Sequence, residues 1–463
     1  MAELREDQKQ IAERIIELLK GDNVAALQAP TGWGKSYVAS AVIKELGGRW
    51  AWTSSLISAM LSAARALHEF GVRYFVSAGK EKLCVMNYGY ADFVLRNPCN
   101  HCNYNVMPPR DIVNTLISVT DYSKVKEIVE ERNVCPYIAQ ESTIKVALSK
   151  FSNSVILMHY KRLGKYARMI DGVVMDEAHN IATPRLVTLS RRAVELLLER
   201  FGVSVNTINA SAEVIRDILM ERLYDIATMA DEINGLSLDE IVDFIQSTIV
   251  YYDHSGDEYV GLQTVGLELP QGQQKRILYM SATLPPSMIT SRIPVVIVPP
   301  PRRMTVKIPK WSKVMSVQNI ERYKEELIKK LMELLSDGTP SLIFTTSSKG
   351  ISLDNVVYED EIRQDDICKR NLMLWYFGRF SEGTRLNCYR RIILLTIPIL
   401  PMDIMKRLRM RGISEIDIVA IKTIQSIGRI MPQQEPEIVM LDSRFRKYCD
   451  VLSQYGIQCV DAG

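Results

Sequence analysis

The sequence predicts an α/β protein built on mostly parallel sheets and interrupted by two insertions. Three observations predict it. Short apolar runs alternate with helical patterns along most of the chain. A glycine-rich turn joins the first of these runs to a helix, the setting that a phosphate-binding loop requires. Two internal stretches break the alternation: 76–139 carries a group of cysteines, and 184–254 has helical patterns with almost no strand signal.

Taken in order, residues 6–20 place Ile and Leu at helical spacing and stop at Gly21-Asp22. An apolar run, Val24 to Leu27, precedes the glycine-rich turn, and a second helix is expected over Ser36 to Glu45. Further strand-like runs are Trp50–Thr53, Ser154–Met158, Gly172–Met175, Arg276–Met280, Val295–Val298, Ser341–Thr345, Ile392–Thr396 and Glu437–Leu441. In the second insertion the helical patterns are Leu189–Phe201, Ala210–Ile233 and Leu238–Ile249. Pro299-Pro300-Pro301 reads as a linker before a second α/β half.

The 463 residues suffice for several domains, and 47% apolar with 24% charged residues describes a globular chain. No apolar run reaches the roughly 18 residues of a membrane helix. The polar start, MAELREDQKQ, has no signal-peptide character, so the chain reads as cytoplasmic and without a membrane partner. A net charge of +3 does not argue for nucleic acid; any such surface must be a local patch, such as Arg302-Arg303 with Lys307, Lys310 and Lys313, or Lys406 to Arg411. Of eight cysteines, Cys84, Cys99, Cys102 and Cys135 cluster, which in a cytoplasmic protein points to metal rather than disulfides. Cys368, Cys388, Cys449 and Cys459 read as small buried apolar residues.

Two constellations carry chemistry. Ala29-Pro30-Thr31-Gly32-Trp33-Gly34-Lys35-Ser36 fits a phosphate loop with Ala at the first glycine position. Gly32 and Gly34 let backbone N–H groups turn toward phosphates, and the following helix offers its positive end. Lys35 is placed for the β- and γ-phosphates and the Ser36 hydroxyl for Mg²⁺. The second is Val173-Val174-Met175-Asp176-Glu177-Ala178-His179, an apolar strand that delivers two carboxylates at its C-terminal end. Asp176 is expected to hold Mg²⁺ and Glu177 to polarise the attacking water.

With these residues the chain resembles the superfamily 2 helicases. Asp176-Glu177-Ala178-His179 is similar to their DEAH box and the phosphate loop to their motif I. Met280-Ser281-Ala282-Thr283-Leu284 looks like motif III, Ser381-Glu382-Gly383 like motif V, and Gln425-Ser426-Ile427-Gly428-Arg429 like motif VI. Ser341-Leu342-Ile343-Phe344 lies in the motif IV region and reads equally as a buried strand. Asp442-Ser443-Arg444-Phe445 and the adenine-reading pattern of Leu4-Arg5 with Gln8 resemble the XPD/DinG-type iron–sulfur helicases. The four clustered cysteines are separated by residues 85–98, 100–101 and 103–134, and Cys135-Pro136-Tyr137 is similar to the iron–sulfur domain of archaeal XPD. By the ligand set alone, a Cys₄ site holds either a 4Fe–4S cluster or a structural zinc.

The resemblance implies two RecA-like motor domains, the first from 1–75, 140–183 and 255–298 and the second from 299–463. It implies an iron–sulfur domain at 76–139 and a reduced helical arch at 184–254. It also implies ATP and Mg²⁺ in the cleft, with a nucleotide-contacting set of Gln8, Thr31, Gly32, Gly34, Lys35, Ser36, Asp176, Glu177 and Gly383. Gln425 and Arg429 would face the γ-phosphate, and Cys84, Cys99, Cys102 and Cys135 would ligate a 4Fe–4S cluster. The implied activity is ATP-driven 5′→3′ unwinding on single-stranded and forked duplex DNA by a monomer. The alternative is an ATP-switched single-strand clamp, and an RNA motor is disfavoured by the cysteine domain. Thr53, Ser54 and Ser55 fall where the family touches the DNA backbone, though hydroxyls there also cap helices. His159-Tyr160 falls where the family often has Thr-Tyr near DNA, though a single aromatic there is more often core.

Two departures matter. Pro432 stands where the family's motif VI carries a second arginine, a role that Arg429 alone, Arg444 or Arg446 would have to fill. The stretch 180–280 is short for an arch, which puts docking to repair complexes in doubt.

Overall fold

Buried parallel strands need apolar residues on both faces, and the runs Val24–Gln28, Gly172–Asp176 and Ser341–Thr345 supply them: nearly every residue in them is buried. A computed structural model describes residues 3–54, 57–89, 92–93, 98–117, 122–130, 132–203, 211–227, 232–233, 236–253, 257–264, 275–300, 303–346, 351–378, 386–430 and 435–462.

The first seven-stranded sheet is parallel throughout. Its order is Val295–Ile297, Val24–Gln28, Arg276–Ser281, Gly172–Asp176, Gly48–Ser54, Asn153–His159 and Tyr74–Ser77. Helices Glu6–Gly21, Lys35–Leu46 and Ile57–Glu69 supply apolar residues to the core on one face, around Ile15, Leu19, Val42, Ile43 and Leu67. The second seven-stranded sheet is also parallel, in the order Val356–Tyr358, Asn371–Trp375, Ser341–Thr345, Arg391–Leu394, Glu437–Met440, Met304–Pro309 and Ile457–Ala462. Because each parallel connection must cross back over a face, every strand of a sheet ends at the same edge, and ligand-binding loops gather there.

The strand count exceeds the sequence expectation. Tyr74–Ser77, Met304–Pro309, Val356–Tyr358, Asn371–Trp375 and Ile457–Ala462 were not anticipated. The segment read as almost free of strands contains Arg185–Ser190 and Ile249–Asp253, which form an antiparallel sheet with Glu258–Gln263. Here the structure corrects the sequence reading. Val187 and Leu189 alone face the core from the first strand, too few for a clear alternation, and Ile249 was absorbed into a helical pattern that ends at Ile245. Helices Arg191–Glu199, Ala212–Glu221 and Leu238–Ile245 pack with this sheet.

The small sheet also packs against the second half. Ile249, Val260 and Leu262 join Leu400, Ile404, Met405, Leu408, Ile413 and Ile418 in one apolar cluster. Arg407, on the helix Met402–Arg409, donates to the Val250 carbonyl at 3.3 Å and pairs with Glu213 at 3.4 Å.

The four scattered cysteines are a second correction. They are not isolated apolar residues but two disulfides, Cys368–Cys388 and Cys449–Cys459, with Cα separations of 5.4 and 5.9 Å. The first closes a loop around the strand Asn371–Trp375; the second ties the short helix Cys449–Ser453 to the last strand. Among the described residues no helix is long and apolar enough to cross a membrane.

Candidate nucleotide site at the junction of the two halves

The phosphate loop runs from the end of Val24–Gln28 to the helix Lys35–Leu46. Gly32 (φ 84°) and Gly34 (φ 107°) take left-handed backbone that a side chain would strain. At Gly34 a Cβ would also lie 2.5 Å from Gln8 Nε2, so the Gln8 side chain would have to shift. Lys35 Nζ donates to the Ala29 carbonyl at 3.0 Å. Thr31 is exposed on the loop, and Ser36 lies in the first turn of the helix, half-buried.

Gln8 holds the loop from outside. Its Nε2 donates to the Trp33 carbonyl at 2.8 Å, and its Oε1 accepts from Arg5 N at 3.1 Å. Arg5 Nη2 donates to the same carbonyl at 3.1 Å, and Trp33 Nε1 donates to Asp7 Oδ2 at 3.1 Å. The start of the first helix is thereby clamped to the loop. Sequence reasoning singled out Gln8 but not Asp7, which accepts from the Trp33 indole.

Asp176 and Glu177 emerge at the C-terminal end of the central strand Gly172–Asp176. Glu177 has left-handed backbone (φ 53°, ψ 50°), an uncommon conformation for a residue with a side chain. Trp52 Nε1 donates to Asp176 Oδ2 at 3.3 Å, a contact for which the sequence held no signal. Burial and the neighbouring Glu177 charge push the Asp176 carboxyl up to about 6, against the opposing pull of Lys35. Burial works to raise Glu177 too, but the hydrogen bond and charge of His179 and the charge of Lys35 outweigh it, and its pKa falls. Burial depresses the Lys35 ammonium, with Glu177 and Asp176 pulling the other way. The two adjacent carboxyls are thus driven apart, the pattern of sites that separate proton-holding and base roles. A divalent cation at Asp176 would relieve the excess negative charge.

His179 is the hub. Its Nδ1 lies 2.9 Å from Ser281 Oγ and 3.2 Å from Glu177 Oε2, and its Nε2 lies 2.8 Å from Gln425 Nε2. A carboxylate beside Nδ1 calls for a proton there, so in the neutral ring Nε2 accepts from the Gln425 amide. Ser281 Oγ also accepts from Thr283 N at 3.0 Å, and Leu284 N donates to Gln28 Oε1 at 3.1 Å. The DEAH-like and motif III-like segments of the first half are therefore bonded to each other and to the motif VI-like helix, Glu415–Ile427, of the second.

Arg429 follows that helix and is buried, with its carbonyl accepting from Leu386 N at 2.9 Å. Gly383 and Pro432 lie outside the described residues, as do Arg302 and Ser55. Arg444 and Arg446, the candidate replacements for the missing arginine, are held elsewhere in the second half. Arg444 pairs with buried Asp442 at 2.6 Å and Arg446 with Asp461 at 2.9 Å. Thr53 is not a surface contact: it is buried, and its Oγ1 donates to the Val174 carbonyl at 3.2 Å. His159 stacks at a tilt on Tyr160, 4.1 Å between centroids, and burial with nearby Lys161, Arg185 and Arg162 lowers its pKa to about 4.

Cys84, Cys99, Cys102 and Cys135 are all free thiols and half-buried. Cys135 caps the helix Pro136–Lys150. Burial raises its pKa against hydrogen bonds from the Ile138 and Tyr137 backbone, and the Cys99 and Cys102 charges raise it further. Four thiols are the donor type of a Cys₄ metal group. Among the described residues, however, no three His, Cys, Asp or Glu side chains converge as metal ligands.

Two all-parallel sheets, a phosphate loop on the first and a helix of the second reaching the DEAH-like segment define a fold of two RecA-like halves. Among solved structures the chain is similar to one titled "XPD_Helicase" (TM-score 0.67, 18% identity, all of both chains) and to "XPD_APO" (TM-score 0.61, 17% identity, 98% of this chain and 100% of that one). It is also similar to "Structure of S. tokodaii Xpd4" (TM-score 0.54, 16% identity, 98% of this chain and 100% of that one). The fold is that of XPD helicases. No protein-family model and no curated protein matches the chain.

Proposed function

We propose that the protein is an ATP-dependent helicase that moves 5′→3′ on single-stranded DNA and parts forked duplexes. The observation that carries this reading is the Gln425–His179 contact at 2.8 Å, which joins the second half to the DEAH-like segment beside Lys35, Asp176 and Glu177. A motor needs such a contact, because hydrolysis in one half must be felt by the other.

In this reading the loop amides around Gly32 and Gly34, with Thr31, cradle the phosphates. Lys35 leaves the Ala29 carbonyl for the β- and γ-phosphates. Ser36 and Asp176 hold Mg²⁺. Glu177, kept ionised by His179 and Lys35, takes the proton of the attacking water. Arg429 neutralises charge that develops on the γ-phosphate, and Gln425 exchanges His179 for the phosphate as the cleft closes. Gln8 serves the adenine side of the site by fixing Trp33 and the loop, and Gly383 belongs to the same set. The first half is drawn from 1–75, 140–183 and 255–298 and the second from 299–463, with 76–139 and 184–254 as insertions beside the DNA path.

Cys84, Cys99, Cys102 and Cys135 are proposed to hold a 4Fe–4S cluster, which when bound would tie their three chain segments into one unit. The working form is a monomer in the cytoplasm.

A second reading is an ATP-switched clamp on single-stranded DNA with little unwinding. Pro432 at the second arginine position favours it, as do the ion pairs that occupy Arg444 and Arg446. Strand-displacement assays on 5′- and 3′-tailed duplexes test both. Unwinding of the 5′-tailed substrate alone, lost in Lys35→Ala, supports the helicase. Nucleotide-dependent DNA binding without displacement supports the clamp, and DNA-independent behaviour overturns both.

A further inference from the structure

Asp417 is an acidic residue in the first turn of the helix Glu415–Ile427, where acids are common and usually exposed. Here the side chain is fully buried, with 0% exposure. Its Oδ1 accepts from Ser287 N of the first half at 2.8 Å, and its Oδ2 has no hydrogen-bond partner among the described residues. A buried carboxylate with one oxygen unmet is costly to keep, and helix stability alone would be served as well by an exposed one. Tyr455 reinforces the same junction, its hydroxyl donating to the Leu284 carbonyl at 2.6 Å. Both contacts fall on the segment just after Ser281-Ala282-Thr283, whose Ser281 touches His179.

The helix Glu415–Ile427 is thus fastened to the first half near both ends. Asp417 binds the Ser287 amide and, about 12 Å further along, Gln425 binds His179. We propose that Asp417 is a positioning residue that holds the segment Leu284–Ser287 against the motif VI-like helix, so that Gln425 meets His179 only when this segment is seated. Asp417 touches no substrate and acts through Ser287 and Gln425. The proposal rests on the ATP-driven reading above.

The test measures ATP turnover with saturating single-stranded DNA, together with amide hydrogen exchange of residues 284–289, in wild type, Asp417→Ala, Asp417→Asn and Tyr455→Phe. Losing a bond to a charged acceptor corresponds to about a tenfold change. In Asp417→Ala, exchange at 284–289 should quicken at least that much while helix 35–46 stays protected. Its kcat should fall about tenfold with KM for ATP within about twofold, and Asp417→Asn and Tyr455→Phe should lie between it and wild type. Unchanged exchange at 284–289 overturns the proposal. So does faster exchange there with kcat per folded molecule intact. If Asp417→Ala fails to fold, Tyr455→Phe and Asp417→Asn decide by the same two readouts. If wild type does not hydrolyse ATP, the functional reading fails while exchange at 284–289 still decides whether Asp417 seats the segment.

Discussion

Gln425 Nε2 sits 2.8 Å from His179 Nε2, across 246 residues of sequence, and on the far side of the same ring Glu177 Oε2 lies 3.2 Å from Nδ1. The imidazole therefore stands between a residue of the second half and the carboxylate expected to act on water. Replacing Gln425 by Ala should lower kcat by about tenfold or more with ADP affinity little changed, because the lost bond to a buried ring is worth ~1–2 kcal/mol and the residue is proposed to reach only the γ-phosphate, which ADP lacks. Steady-state turnover and fluorescent-ADP binding check this; equal losses in both would place Gln425 in ground-state binding instead.

Asp176 gives a pH signature. Its folded pKa is raised, to about 6 from the ordinary 3.8, so the folded state holds the proton more tightly than the unfolded chain. Stability attached to this group is fully present below the unfolded value and declines as pH rises toward about 6. Asp176→Asn should therefore be more stable than wild type at pH 8, on the order of 1–3 kcal/mol, and the gap should close toward pH 4. Urea unfolding at the two pH values measures it. Removing a buried, repelled carboxylate while abolishing Mg²⁺-dependent turnover is the stability–function trade expected of a working site.

The same ionisation governs metal binding. Below about pH 6 protons compete with Mg²⁺ for Asp176, and affinity should weaken by about tenfold per pH unit. Calorimetric titration of Mg²⁺ with ADP at several pH values reads this slope directly, and a flat profile would remove Asp176 from the metal's ligands.

Gln8 and Asp7 support the phosphate loop without needing to touch phosphate. Gln8→Ala leaves the Trp33 carbonyl with only Arg5 and should raise KM for ATP by about fivefold to thirtyfold, the equivalent of ~1–2 kcal/mol. Asp7→Asn, which keeps an acceptor for the indole, should do less. The comparison needs only steady-state kinetics.

Anaerobically purified protein is expected to be brown with broad visible absorbance, and Cys102→Ser to lose that colour. A colourless protein with one zinc per chain would select the other Cys₄ group. Non-reducing peptide mapping should in either case recover Cys368–Cys388 and Cys449–Cys459 as pairs, and the double substitution Cys449→Ser/Cys459→Ser should cost about 2–4 kcal/mol of stability.

The loop 29–36 and the pair Asp176–Glu177 were legible because phosphate and metal chemistry demand given residue types in a given order. The partners that tune them were not. Trp52 reaches Asp176 only because their strands are neighbours in the sheet, and Asp417 reaches Ser287 only because two halves meet. Cys368 and Cys388 stand 20 residues apart with no local mark of pairing. The strand Arg185–Ser190 buries only alternate residues and merges into the next helix, so periodicity could not separate them.

The small sheet has a mechanical consequence. Its strands leave the chain between two strands of the first sheet, yet Ile249, Val260 and Leu262 are packed on Ile404, Met405 and Leu408 of the second half. Besides the chain crossing and the contacts made by Asp417, Gln425 and Tyr455, the halves therefore share this apolar seam. A seam set apart from the nucleotide junction would restrict how the halves can move against each other.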